Sequence, residues 1–263
     1  MNEVRAKKYL GQHFLTDESI AQRIVDSLSS TSHNILEIGP GMGVLTKYLI
    51  DKPDCDFHVV EIDSESVVWL HDHYPTLDVI EGDFLKLDLS ALFHDTYAII
   101  GNFPYNISSQ ILFRVFDCRN QVSEVGGMFQ KEVAERVAAD PGSKTYGILS
   151  VLLRAFYNIE YLFTVHEHVF NPPPKVKSAV IRLTRNDVTT LECDEKLFVQ
   201  VVKAGFNQRR KTLRNALRSA ALPIDAVPED TLAKRAEQLS VDQFITLTKT
   251  IQQCIEPPIS YLL

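Results

Sequence analysis

Ile35-Leu36-Glu37-Ile38 runs directly into Gly39-Pro40-Gly41-Met42-Gly43, an apolar strand that ends in a glycine turn. An amphipathic stretch from Gly43 to Ile50 follows. Glycine permits a tight strand-to-helix turn and lets a ligand approach the backbone, so few folds other than a βαβ unit accept this arrangement. The next β-branched run ends Val59-Val60-Glu61-Ile62-Asp63. Glu61 thereby falls at the spacing, roughly 20 residues after the first glycine, at which an acid can accept both hydroxyls of a ribose. Turn, acid and strand context together predict a nucleoside site.

The same alternation extends over the first 180 or so residues. Strands are expected at Asn34–Ile38, Phe57–Ile62, Leu77–Glu81, Tyr97–Ile100, Glu124–Gln130, Tyr157–Thr164 and Ser178–Arg185. Helices are expected at Glu18–Ser29, Gly43–Ile50, Ser64–His73, Ser108–Phe116, Lys131–Ala138 and Tyr146–Ala155. Such alternation means a mainly parallel α/β sheet covered on both faces, with an antiparallel-looking pair before Arg185. Beyond Asn186 only short helices are expected, at Glu195–Phe206, Arg209–Ala221, Thr231–Gln238 and Val241–Ile255. The expected layout is therefore an α/β domain over 1–186 and a small all-helical domain over 187–263. A chain of 263 residues with 45% apolar and 23% charged residues has the length and composition for this, and is neither disordered nor a coiled coil.

Several classes drop out. Basic residues near the N-terminus precede no apolar run or small-residue cleavage site, so a secretory signal is not expected, and no apolar run approaches a membrane span. Cys55, Cys118, Cys193 and Cys254 are scattered, which suits a reducing cytoplasm and suggests neither disulfides nor a thiolate metal site. His71-x-His73 and His166-x-His168 lack a third ligand nearby, so no metal is expected.

The nucleoside can be narrowed. Gly39-x-Gly41-x-Gly43 is not the spacing that seats a pyrophosphate, and Glu37 just before the turn would repel phosphate. S-adenosylmethionine carries an ammonium and a sulfonium and no phosphate. Glu81-Gly82-Asp83-Phe84 on a third strand adds Asp83, which could accept from an adenine amino group. The fourth strand ends Gly101-Asn102-Phe103-Pro104-Tyr105-Asn106-Ile107-Ser108, at the position where open α/β sheets hold ligands. Asn102 could accept a hydrogen from an exocyclic amine whose lone pair is otherwise delocalised into its ring. Pro104 stiffens the loop, and Tyr105 offers a face to an extruded base. Methylation of such an amine needs orientation rather than a general base.

These segments, with Tyr9-Leu10-Gly11-Gln12-His13-Phe14-Leu15, Phe170-Asn171-Pro172-Pro173-Pro174-Lys175-Val176 and Phe206-Asn207-Gln208-Arg209-Arg210-Lys211-Thr212-Leu213, resemble the ribosomal RNA adenine N6,N6-dimethyltransferases, most closely the bacterial branch acting on 16S rRNA. The resemblance implies a Rossmann-like class I S-adenosylmethionine-dependent methyltransferase domain followed by a helical RNA-binding domain. It implies dimethylation of two neighbouring adenosines by a cytoplasmic monomer whose partner is the small ribosomal subunit. It also implies that His13 and Leu15 cover the methyl donor beside Gly39 and Gly41, that Glu61 holds its ribose and Asp83 its adenine, and that Asn102 lies between donor and target. Tyr105 and Phe170 would sandwich the target adenine. The family more often has Asn at the position of His13 and Leu at that of Phe103, so these two residues are departures beside the site.

A formal charge of −7 argues at first against a nucleic-acid partner. The charges are segregated, however. From Asp51 to Asp95 twelve acids face two lysines, whereas Lys203 to Arg218 holds six bases and no acid. Arg210, Arg214 and Arg218 would share one face of a helix starting near Arg209, and with Arg209 and Lys211 would suit phosphates. Lys175, Lys177, Arg182 and Arg185 make a second strip, and Arg5, Lys7 and Lys8 a third. Rival readings are a large-subunit rRNA methyltransferase of the same family, a ribosome-assembly or transcription factor that binds RNA without catalysis, and a NAD-dependent dehydrogenase. The intact Asn102-Phe103-Pro104-Tyr105 and the glycine spacing speak against the last two.

Overall fold

The computed structural model describes residues 4–29, 31–89 and 92–255. It divides into two compact units, one of Met1–Glu135 with Asn158–Arg185, the other of Arg136–Tyr157 with Asn186–Leu263.

In the first unit the elements follow in chain order as β1 (Phe14–Leu15), α1 (Glu18–Val25), β2 (Asn34–Ile38), α2 (Thr46–Leu49), β3 (Asp56–Glu61), α3 (Ser64–His73), β4 (Asp78–Glu81), β5 (Tyr97–Asn102), α4 (Ser108–Asp117) and β6 (Val122–Gln130). Helix α5 (Lys131–Ala138) straddles the junction, and β7 (Tyr157–Val165), β8 (Phe170–Asn171) and β9 (Ser178–Arg185) complete the sheets. The main sheet has seven strands in the order β4-β3-β2-β5-β6-β9-β7. Its first five are parallel, and β9 inserts antiparallel to β6. The two strands expected as a pair before Arg185 are neighbours, with the later strand on the inside.

Central β2 and β5 are buried along nearly their whole length, as continuous apolar runs require when helices cover both faces. Ile35, Ala98, Ile100 and Met128 pack with Ile24 of α1 and Leu49 of α2. Leu36 and Ile99 alternate to the other face and are equally buried. Asp17 caps α1 by accepting from the Ser19 and Ile20 amides at 2.9 and 3.2 Å, and Asp63 caps α3 through the Glu65 amide at 3.2 Å. Helix α2 is shorter than the expected Gly43–Ile50 because Gly43 has a φ of +72°, outside the helical region.

The second unit contains α6 (Ile148–Arg154), α7 (Glu195–Asn207), α8 (Leu213–Ser219), α9 (Glu229–Leu232) and α10 (Val241–Ile255). Ile148-Leu149-Ser150-Val151-Leu152-Leu153 is apolar on nearly every face, so it is buried among other helices rather than laid on a sheet. Its partners are α7 and α10. Tyr146 meets the Phe206 ring edge-on at 6.1 Å, and the Asn186 amide donates to the Phe156 carbonyl at 3.0 Å. A single change of domain after residue 186 thus describes only one crossing. Residues 136–157 join the helical unit, and the chain passes between the two three times.

Candidate functional site

The C-terminal ends of β2, β3, β4 and β5 converge on a cleft of about 690 Å³, counting its open mouth. Each strand delivers one group of lining residues: Gly39 and Gly41, then Glu61 and Ile62, then Gly82, Asp83 and Phe84, then Asn102 to Tyr105. Residues 10–14 line it as well. The turn after β2 is built on left-handed glycines, with φ of +67°, +57° and +72° at Gly39, Gly41 and Gly43. A Cβ on Gly41 would also stand 2.9 Å from the Phe14 ring, so this position combines a conformational and a steric demand for glycine. A smaller neighbouring cavity of about 350 Å³ shares Phe14, Gly39, Gly41 and Asn102, and is closed by Leu15 and Glu37.

Four carboxylates organise the cleft. Glu61 is buried, and its Oε1 accepts the Ile62 and Asp63 amides at 2.9 and 2.8 Å while Oε2 accepts the Gly41 amide at 3.0 Å. Burial pushes its carboxyl up, opposed by those amides. Asp83 is held by the Leu85 amide at 3.0 Å and stands 3.4 Å from the Lys86 ammonium. Glu37 is buried with one hydrogen bond, accepted from Thr46 Oγ1 at 2.7 Å. Burial raises its pKa to about 8, with the Thr46 bond opposing and the Glu61 charge adding. Asp63 is buried too, but Lys7 at 2.5 Å and Gln12 at 3.1 Å outweigh its desolvation and hold it below the usual carboxylate range.

Those two contacts to Asp63 fix the segment that covers the cleft. Further along, β1 pairs antiparallel with β8, Leu15 opposite Phe170 and Phe14 opposite Asn171. Thr16 donates to the Val169 carbonyl through both its amide, at 2.8 Å, and its hydroxyl, at 2.9 Å. His13 Nδ1 donates to the Pro172 carbonyl at 2.8 Å. Asn102 Nδ2 in turn donates to the His13 carbonyl at 2.9 Å. That bond uses the amide nitrogen of Asn102 and fixes its side chain in the orientation that leaves the carbonyl oxygen as the group on offer to a ligand.

Phe103, one of the two departures, is 1% exposed and packs its ring on Phe129 at 4.5 Å. The space it occupies exists because Gly101 and Gly127 carry no side chains. It thus reaches the cleft wall from within the core. His13, the other departure, lines the cleft with its ring 5.1 Å from that of Tyr105. The Tyr105 hydroxyl is hydrogen-bonded to Ser178, and burial pushes its pKa up. Phe170 is not brought to the cleft: it is 4% exposed and belongs to the core beside Leu15 and Val180. Pairing of β8 with β1 turns its ring inward, so the ring beside Tyr105 is His13 and not Phe170. Among lining residues, Ile62 escaped the sequence reading; an apolar side chain directly after the strand-end acid, 52% exposed, was the available signal.

The basic residues divide into engaged and free. Lys175 and Lys177 are exposed on the proline-rich loop, and Arg210, Lys211 and Arg218 are exposed in the helical unit. The expected helix from Arg209 starts only at Leu213, so Arg210 lies in the preceding turn and does not share a helix face with Arg214 and Arg218. Arg209 is tied to the Lys144 and Tyr146 carbonyls, and Arg214 to Glu229. Arg182 holds Glu160 at 2.6 Å, and Lys7 holds Asp63 and Glu65. These four hold the fold together and are not free for phosphate.

Comparisons with known proteins agree over more than nine-tenths of the chain. A family model described as Ribosomal RNA adenine dimethylase matches residues 3–253. The Ribosomal RNA small subunit methyltransferase A of Cytophaga hutchinsonii is 61% identical over 255 residues, 95% of this chain and 99% of that protein. The protein of the same name from Porphyromonas gingivalis is 58% identical, covering 96% of this chain and 100% of its own length. A solved dimethyladenosine transferase from Plasmodium falciparum superposes with a TM-score of 0.76 at 27% identity, over 92% of this chain and 98% of that one. The 23S rRNA methyltransferase ErmE superposes at 0.68 with 24% identity, over 91% of this chain and 100% of its own, which bears on fold alone. The α/β unit has the Rossmann-like class I methyltransferase fold, with a helical part after it. The chain belongs to the ribosomal RNA adenine dimethylase family.

Proposed function

We propose that the chain dimethylates N6 of two adjacent adenosines in the 3′-terminal hairpin of 16S rRNA, with S-adenosylmethionine as methyl donor, during small-subunit biogenesis. The observation that carries the donor assignment is the lining of the two cavities, which holds Glu37, Glu61 and Asp83 but no lysine or arginine. A phosphate-bearing dinucleotide would find no counter-charge there, whereas an ammonium and a sulfonium find acids. Glu61 would hold the ribose hydroxyls and Asp83 the adenine amino group; Glu37, held neutral by burial in the free protein, would ionise against the cationic amino-acid end, with Leu15 and His13 covering it. When bound, S-adenosylmethionine supplies a methyl group activated by its sulfonium.

Asn102 performs the step specific to an exocyclic amine. Its carbonyl oxygen accepts one amine hydrogen and a main-chain carbonyl of the same loop the other, which draws the nitrogen toward a pyramidal shape with its lone pair free. Pro104 keeps that loop stiff. Tyr105 stacks on the target base, with the His13 ring beside it. The methylated amine releases its extra proton to solvent, so positioning accounts for the rate. Phosphates would meet the exposed Lys175, Lys177, Arg210, Lys211 and Arg218. The names of the relatives point to the small subunit in preference to the large one. The four free cysteines suit a reducing compartment, and we place the chain in the cytoplasm as a monomer. Incubation with labelled donor and unmethylated small subunits, followed by mapping, tests the reading. Label on two adjacent adenosines near the 3′ end is expected; label on large-subunit RNA, or none, overturns it.

A further inference from the structure

Beside the cleft the chain displays an aromatic ring that the fold does not use. Tyr9 lies in the 3-10 turn Lys8–Leu10 and is 76% exposed, more than any other large apolar side chain among the described residues. Its backbone is nonetheless firmly placed. The Tyr9 carbonyl accepts from Asn106 Nδ2 at 3.3 Å, and the next two residues, Leu10 and Gly11, line the cleft. Gly11 adopts a φ of +66° and approaches Asn106 so closely that a Cβ would stand 2.6 Å from its side-chain oxygen. On either side, Lys7 and Gln12 anchor the segment to Asp63. A ring in water on so well-anchored a backbone is presented at little further entropic cost to whatever it meets.

The charges around it indicate what that is. Of the basic residues on this segment, Lys7 is bound to Asp63 and Glu65. Arg5 and Lys8 are exposed and make no ion pair among the described residues. An exposed ring flanked by free cations beside a ligand cleft is the arrangement that holds unpaired nucleotides, the ring stacking on a base and the cations following the backbone. An adenosine that leaves its stack to reach Asn102 deprives its neighbour of a stacking partner. Tyr9, next in the chain to the cleft-lining Leu10, is the unused ring on this segment.

We propose that Tyr9 is a stacking platform for the nucleotide adjacent to the target adenosine, a substrate-positioning residue outside the methyl-donor site. The inference rests on the reading of the chain as an RNA methyltransferase. It is tested by methyl transfer from labelled donor to unmethylated small subunits with Tyr9→Ala and Tyr9→Trp, together with donor affinity measured without RNA. Loss of one base–aromatic stack predicts that Tyr9→Ala raises KM for the particle by roughly tenfold. Its kcat and donor affinity stay near wild type, and Tyr9→Trp returns KM to the wild-type value because any large flat ring serves. An unchanged KM in Tyr9→Ala overturns the role, as does a raised KM that tryptophan does not rescue or that comes with weakened donor binding. Wild-type protein that labels no RNA overturns the methyltransferase reading itself, an outcome distinct from all of these.

Discussion

Gly127 offers a direct way to ask whether the core of the sheet sets the chemistry at Asn102. It lies on β6 opposite Gly101 of β5, beneath the Phe103 ring. A Cβ there would fall 2.4 Å from Phe103 Cε2 and 2.5 Å from the Gly101 carbonyl oxygen. Comfortable contacts between such atoms are about 3.5–4.0 Å, so something must move by about an ångström. The ring is 1% exposed and packed at a tilt against Phe129 at 4.5 Å. The carbonyl belongs to a strand in the middle of the sheet. Gly127→Ala should therefore cost about 3 kcal/mol, the upper end for overpacking a dense core. The displaced loop carries Asn102, and misplacement of that size lowers turnover by about 100-fold. Urea unfolding gives the first quantity, and methyl transfer to small subunits at saturating donor gives the second. Adding Phe103→Leu relieves the ring contact but not the carbonyl one, so the double variant should regain part of kcat and little stability. Gly127→Ala with wild-type unfolding and wild-type kcat would refute the argument.

Asn102→Ala should abolish methyl transfer while leaving particle binding nearly intact, as read by filter binding; retained turnover would exclude the assigned role. Replacing Arg210 and Arg218 by Glu should weaken RNA binding most at low salt and flatten its salt dependence, because both are exposed. Arg209→Ala, in contrast, should lower the unfolding midpoint, since it removes the donor to the Lys144 and Tyr146 carbonyls. Glu37 has a folded-state pKa of about 8 against an unfolded value of 4.5, so wild-type stability declines as pH rises from 4.5 through 8. Glu37→Gln removes that decline, and its advantage in unfolding free energy, read from urea curves, should be absent near pH 4 and grow toward pH 8.5, to at most about 5 kcal/mol. A pH-independent difference would show that Glu37 is not held neutral.

Much of the fold was legible because parallel strands and their helices carry period and punctuation. Asn34–Ile38, Ser64–His73 and Ser178–Arg185 coincide with the elements read from the sequence. The strand-end residues Gly39, Glu61, Asp83 and Asn102 were found for the same reason, since each closes an apolar run, and they do meet in one cleft. The pairing of β1 with β8 was not legible. Two-residue strands have no period, and their partner lies on the far side of the sequence. The inward turn of Phe170 followed from that omission. Nor does a count of basic residues reveal which are already paired: Arg182 and Arg214 look as available in the sequence as Arg218 does. Residues 136–157 read as a continuation of the strand–helix alternation, yet the apolar girdle of α6 commits them to the helical unit.

The ribbon that joins β1 to β8 also sets a timetable. Thr16 with Val169 and His13 with Pro172 are contacts across 153 and 159 positions of chain. Contacts between such distant positions close late, because the loop between them must first be ordered. The His13 residue whose carbonyl orients Asn102 is therefore braced from its ring side only after the chain has been made as far as Pro172. During synthesis the glycine turn and the strand-end acids exist, with Lys7 and Gln12 able to reach Asp63, long before β1 has its partner strand. A nascent chain passes through a stage in which the covering segment is held at Asp63 without its later partners, and its hold is completed only when its beginning meets the residues made about 150 positions later.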